Sequence, residues 1–157
     1  MNRHLIGLLL LGSGIGAAAM LPHAQAETEN DGAAVLQRLS AQALAGSVFS
    51  DPNTEALTES SEVGEAAARD LVWHESDDRC LQTGVYETGA NRYTINDPYP
   101  HDELMMFISG GVTLTPKGGE PVVIVAGDTV MLPKGWTGLW DSQGYRKVYV
   151  IYDCPED

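Results

Sequence analysis

Gly127-Asp128-Thr129-Val130-Met131-Leu132-Pro133-Lys134-Gly135-Trp136-Thr137-Gly138-Leu139-Trp140 is the stretch whose reading decides the fold. Val130, Met131 and Leu132 form a short apolar run. Residues 133–135 predict a turn, because proline presets φ for a turn start and glycine tolerates positive φ. Gly127-Asp128 predicts a second turn just before the run. The stretch therefore reads turn, strand, turn, strand.

Working outward, the same punctuation continues in both directions. Upstream, strands are expected over residues 71–74, over 79–88 with a break at Gly84, and over 91–95 after the Gly89-Ala90 turn. A longer strand is expected over 101–109, and Gly110-Gly111 predicts a turn or bulge. Residues 112–115 and 121–125 predict a hairpin across Lys117-Gly118-Gly119. Downstream, 136–141 and 145–152 complete the set. Strands so evenly spaced, with Gly and Pro between them, predict an all-β sandwich or barrel.

Two blocks give this pattern a relative. One is Glu103 followed by six residues and Gly110. The other is Gly127-Asp128 through Pro133-Lys134-Gly135-Trp136, Gly138 and Trp140, then Arg146-Lys147-Val148-Tyr149. Together they resemble the cupin superfamily, and more narrowly its (S)-ureidoglycine aminohydrolase-type domain, over about residues 69–152. The resemblance implies a cupin-type double-stranded β-helix, a jelly-roll barrel, over 69–157. It also implies a metal set: a His-x-His pair upstream of the glutamate and a histidine three residues after the Pro-x-Gly glycine. Here that last position is Gly138, and residues 96–99 hold no histidine. Glu103 alone keeps its place.

A transition-metal site needs about three or four converging N, O or S ligands. His101 and Glu103 are two apart on one expected strand and so share a face; they are the candidate metal ligands if an ion is bound. The expectation is no cofactor, with Mn, Fe, Ni or Zn as the alternative.

If Glu103 points inward, so do Met105 and Phe107, since strand side chains alternate. Lys147 and Tyr149 share a face on the same argument, as do Gly138 and Trp140, and the missing side chain at 138 is expected to leave space. A mouth lined by Tyr86, Arg92, Tyr93, Trp136, Trp140 and Tyr149 would suit a small polar ligand. The bland alternative is that these rings simply fill the barrel. Glu103 and Lys147 are the candidate catalytic pair: a glutamate buried among rings could exchange a proton, and a lysine could steady a developing negative charge. A structural ion pair is the competing reading. No Gly-rich phosphate loop, Gly-x-Ser-x-Gly or Cys-x-x-Cys is present.

The N-terminal part reads differently. Arg3, an apolar Gly/Ala-rich run over 5–20 and Ala24-Gln25-Ala26 predict a signal peptide over 1–26. Export to the periplasm or outside the cell follows from that expectation. Residues 27–68 are expected to hold a helical arm, with Val35, Leu36, Leu39 and Ala43 at helical spacing, and then a polar surface linker over 47–68. Cys80 and Cys154 are a candidate disulfide in an exported chain, the alternative being two buried thiols.

Without the signal peptide, 157 less 26 leaves 131 residues, enough for one core. All 22 acidic residues remain, against eight basic ones, a net charge of −14. Such a surface repels nucleic-acid phosphates and anionic membranes. The expected partner is a small-molecule ligand, with a homodimer as a further option. Three functions stay open: a metal-free binding protein, a metal-dependent hydrolase or isomerase resembling ureidoglycine aminohydrolase that uses Glu103, and a structural dimer.

Overall fold

The computed structural model describes residues 36–154. The expected signal peptide and the start of the expected arm lie outside them. The chain divides into two units, Met1–Leu39 and Ser40–Asp157, and every described helix and strand belongs to the second.

A single helical turn, α1 (Ala41–Leu44), opens this unit. Ser40 sets its start, accepting the amide N–H of Ala43 on its hydroxyl at 3.1 Å. The expected arm helix is thus shorter here than its apolar spacing suggests, because residues 36–40 take no regular structure and the cap falls at Ser40. A 3-10 turn (Ser47–Ser50) follows and buries Val48 and Phe49.

Eight antiparallel strands then make up the unit: β1 (Glu55–Ser61), β2 (Gly64–Glu75), β3 (Leu81–Thr88), β4 (Asn91–Ile95), β5 (Asp102–Pro116), β6 (Val122–Val125), β7 (Thr129–Leu132) and β8 (Gly138–Tyr152). The main path runs β1-β2-β3-β8-β5-β6, with β4 paired to β8 and β7 paired to β5. The two 15-residue strands, β5 and β8, are the spine. They pair over most of their length, with register shifts between Phe107 and Ser109 and between Gly111 and Thr113. Gly110-Gly111 is therefore part of a bulged strand rather than a turn, and residues 136–141 and 145–152 belong largely to one strand.

The linker expected over 47–68 is corrected by the structure. β1 and β2 occupy most of it and pair in register from Glu55–Asp70 to Ser61–Gly64. Chemistry masks their alternation: the buried positions carry Glu59, Ala66, Ala68 and Asp70 rather than large apolar side chains.

The turn between β7 and β8 forms as its sequence predicts. Trp136 N–H bonds to Pro133 O at 3.1 Å, closing a turn with Gly135 at φ 87°, the positive value its third position requires. The turn clasps another loop: Gly135 N–H bonds to Tyr99 O at 2.7 Å, and Tyr99 N–H to Trp136 O at 2.9 Å. Cys80 and Cys154 are joined in a disulfide, their Cα atoms 4.1 Å apart. The bridge ties the start of β3 to the end of β8, beside the Leu81–Tyr152 pair.

Candidate functional site

Alternation along β5 places Glu103, Met105 and Phe107 on the inner face, where Glu103 and Met105 have no exposed surface. β8 lies between β3 and β5, and its Lys147 sits opposite Tyr86 on one side and Phe107 on the other. Lys147 also has no exposed surface. Its ammonium donates to Glu103 Oε1 at 2.7 Å and lies 3.2 Å from Met105 Sδ. The Tyr99 hydroxyl donates to Glu103 Oε2 at 2.6 Å. Both carboxylate oxygens are thus occupied, one by a cation and one by a phenol.

Three rings surround the same ammonium: Lys147 Nζ is 5.4 Å from the Trp140 ring centre, 5.5 Å from Tyr86 and 5.8 Å from Tyr145. These distances are within cation–π range. Burial of the two charges costs several kcal/mol per ion, and these contacts with Glu103, Tyr99 and the rings are what offset it.

A second carboxyl group faces inward from β1. Glu59 is buried and accepts hydrogen bonds from the hydroxyls of Tyr86 on β3 and Tyr93 on β4, the latter at 3.0 Å. A third, Asp70 on β2, accepts from the Tyr149 hydroxyl at 3.1 Å. Burial pushes the phenols of Tyr86, Tyr93, Tyr99, Tyr145 and Tyr149 above their ordinary range. The carboxylates Glu59 beside Tyr93, Glu103 beside Tyr99 and Asp70 beside Tyr149 push in the same direction. The phenols are therefore neutral donors at physiological pH.

Two polar atoms on this inner wall have no hydrogen-bond partner among the described residues: Trp140 Nε1 and Asn91 Oδ1. Asn91 has no exposed surface and Trp140 only 4%. Tyr93 pairs with Trp140 and Asn91 with Ser142, so the two atoms belong to diagonal neighbours on one face of β4 and β8.

The expected site residues divide. Tyr86, Trp140, Lys147, Tyr149 and Glu103 converge on the inner face, and half-buried Tyr93 joins them through Glu59. Arg92 does not. It points to the other face of β4, toward Asp141 at 3.7 Å and Glu62 at 4.0 Å. Trp136 fills the space that Gly138 is expected to leave: a Cβ at 138 would collide with Thr115 O and fall 2.7 Å from the Trp136 ring. Position 138 has no room for any side chain, histidine included. His101 is buried, with its ring edge-to-face on Tyr99 at 5.0 Å. Among the described residues no three His, Cys, Asp or Glu side chains converge to hold an ion. A donor set of one carboxylate already bonded to an ammonium and a phenol does not fit a transition metal.

Glu59, Asn91, Tyr99 and Tyr145 lie outside the set expected from sequence. Tyr99 has a signal: it stands in the 96–99 stretch where the resemblance places the upstream histidines. Glu59 has only the weak alternation of β1.

Proteins of similar sequence and fold are known. Residues 75–149 match the model of the EutQ-like cupin domain. The fold is a cupin barrel. A Pseudomonas syringae protein of unknown function from the DUF861 family has a similar structure, with a TM-score of 0.56 and 24% identity over 62% of this chain and 44% of that one. The chain thus spans less than half of that protein's length. Ethanolamine utilization protein Q of Salmonella typhimurium aligns with a TM-score of 0.49 and 23% identity, over 61% of this chain and 76% of that one. A Thermotoga maritima protein of the DUF861 family aligns with a TM-score of 0.40 and 28% identity, over 43% and 76%. A search of curated proteins finds no match.

Proposed function

We propose that this cupin is an exported protein that binds a small polar molecule inside its barrel, with the Lys147 ammonium standing where a metal cupin keeps its ion. The observation that carries the reading is the 2.7 Å contact between Lys147 Nζ and Glu103 Oε1, with both side chains fully buried. The carboxylate that would ligate an ion is neutralised by the chain itself. Trp140 Nε1 and Asn91 Oδ1 supply a donor and an acceptor with no partner among the described residues, the kind of groups that orient a ligand in a mostly apolar site. The Cys80–Cys154 bridge fits an oxidising compartment, as does the expected signal peptide.

A second reading, a hydrolase or isomerase resembling ureidoglycine aminohydrolase, draws support from Tyr99 and Lys147 both bonding Glu103. That arrangement would let the three groups pass a proton to a bound molecule without a metal step. The test of the first reading is a melting-temperature screen of small polar molecules with and without EDTA. Stabilisation that survives EDTA is the expected result. Turnover of a stabilising molecule in the presence of EDTA favours the second, and stabilisation that EDTA abolishes contradicts both.

A further inference from the structure

The inner wall holds more carboxyl groups than cations. Glu103 has Lys147, but among the described residues no lysine or arginine pairs with Glu59. Glu59 is held instead by two phenols, Tyr86 and Tyr93. A buried carboxylate held by donors but lacking a counter-ion is a ready partner for an incoming cation.

Further observations bear on what the cation must carry. Tyr93, which bonds Glu59, sits directly across from Trp140, whose Nε1–H has no acceptor among the described residues. Asn91, two residues from Tyr93 on the same face, has an Oδ1 with no donor there. A diagonal pair of this kind spans about 7–8 Å, the reach of a molecule of a few heavy atoms. The chain's formal net charge of −13 concentrates small cations around the protein and disfavours anions.

We propose that the barrel binds a small primary ammonium ion bearing an amide-like group: the ammonium on Glu59, an acceptor atom on Trp140 Nε1–H and an N–H on Asn91 Oδ1. This inference rests on the proposed ligand pocket and adds the charge and hydrogen-bonding class of the ligand. Lys147 does not compete for Glu59, because its ammonium is held on Glu103.

The test is calorimetric titration of the full chain with glycinamide, which carries all three groups, and with propionamide, which has the amide but no charge. Glycinamide is expected to bind at least about tenfold tighter, an effect of the order of one charged hydrogen bond. Glu59→Gln should remove that advantage and leave propionamide unchanged, while Trp140→Phe should weaken both. Equal binding of the two, or an equal loss of both in Glu59→Gln, overturns the cation assignment and leaves the pocket standing. Binding of neither at millimolar concentration overturns both. If Glu59→Gln does not fold, the wild-type comparison and Trp140→Phe still decide.

Discussion

Lys147 and Glu103 form a fully buried ion pair, 2.7 Å apart, across the β5–β8 spine. Removing one partner leaves an uncompensated charge in the barrel. Lys147→Met should therefore cost about 3–5 kcal/mol in urea unfolding. The double variant Lys147→Met/Glu103→Gln should recover part of that loss, because neither member of the pair is left as an unpaired charge. A double variant whose loss equals the sum of the two singles would show that the pair is not coupled.

Position 138 is closed on two sides. A Cβ there collides with Thr115 O and meets the Trp136 ring at 2.7 Å. Gly138→Ala should destabilise by about 1–3 kcal/mol or more. Gly138→His should not create a metal site, since the imidazole cannot be accommodated beside Trp136. Thermal melts with and without added Zn check both.

The tyrosines set the alkaline limit. The folded-state phenols of Tyr86, Tyr93, Tyr99, Tyr145 and Tyr149 are raised above the value of 10.0 they have when unfolded. The folded state therefore holds more protons above pH 10, and stability falls as pH rises from there. Phenolate absorbance should appear together with loss of the β circular dichroism. A titration of these phenols in a still-folded barrel would contradict it.

Glu87 sets part of the acid limit. Burial pushes its carboxyl up, but the bonds from Arg69 and Arg146 outweigh this and hold it below its unfolded value of 4.5. Its stabilising contribution is present above pH 4.5 and is lost as pH falls through the lower folded value. Glu87→Gln should be less stable than the parent at neutral pH and show a shallower decline below pH 4.5.

Much of the barrel is legible in the sequence. The Pro133–Gly135 turn, the strands flanking it and the shared face of Glu103, Met105 and Phe107 follow from turn chemistry and two-residue alternation. The parts that are not legible have a common cause. β1 and the first part of β2 read as linker because their buried positions hold Glu59, Ala66 and Ala68, so the polar–apolar contrast that marks a strand is missing. The same inversion hides Glu59 from the site. Arg92 reads as part of the mouth through its proximity to Tyr93, but neighbours on a strand face opposite ways. The crowding at Gly138 depends first on Thr115 O, from β5 across the sheet, which no local pattern encodes.

The disulfide closes a loop with a sequence separation of 74 residues. On the chain-entropy model such a bridge contributes about 4 kcal/mol, so reduction should lower the melting temperature markedly without dissolving the strand signal at room temperature.

The most direct test of the central claim is the metal content of protein purified without chelator. An internal ammonium on Glu103 predicts far less than one equivalent of Mn, Fe, Ni or Zn, and no change in melting temperature when each is added. One equivalent of any of these, lost in Glu103→Gln, would contradict the account.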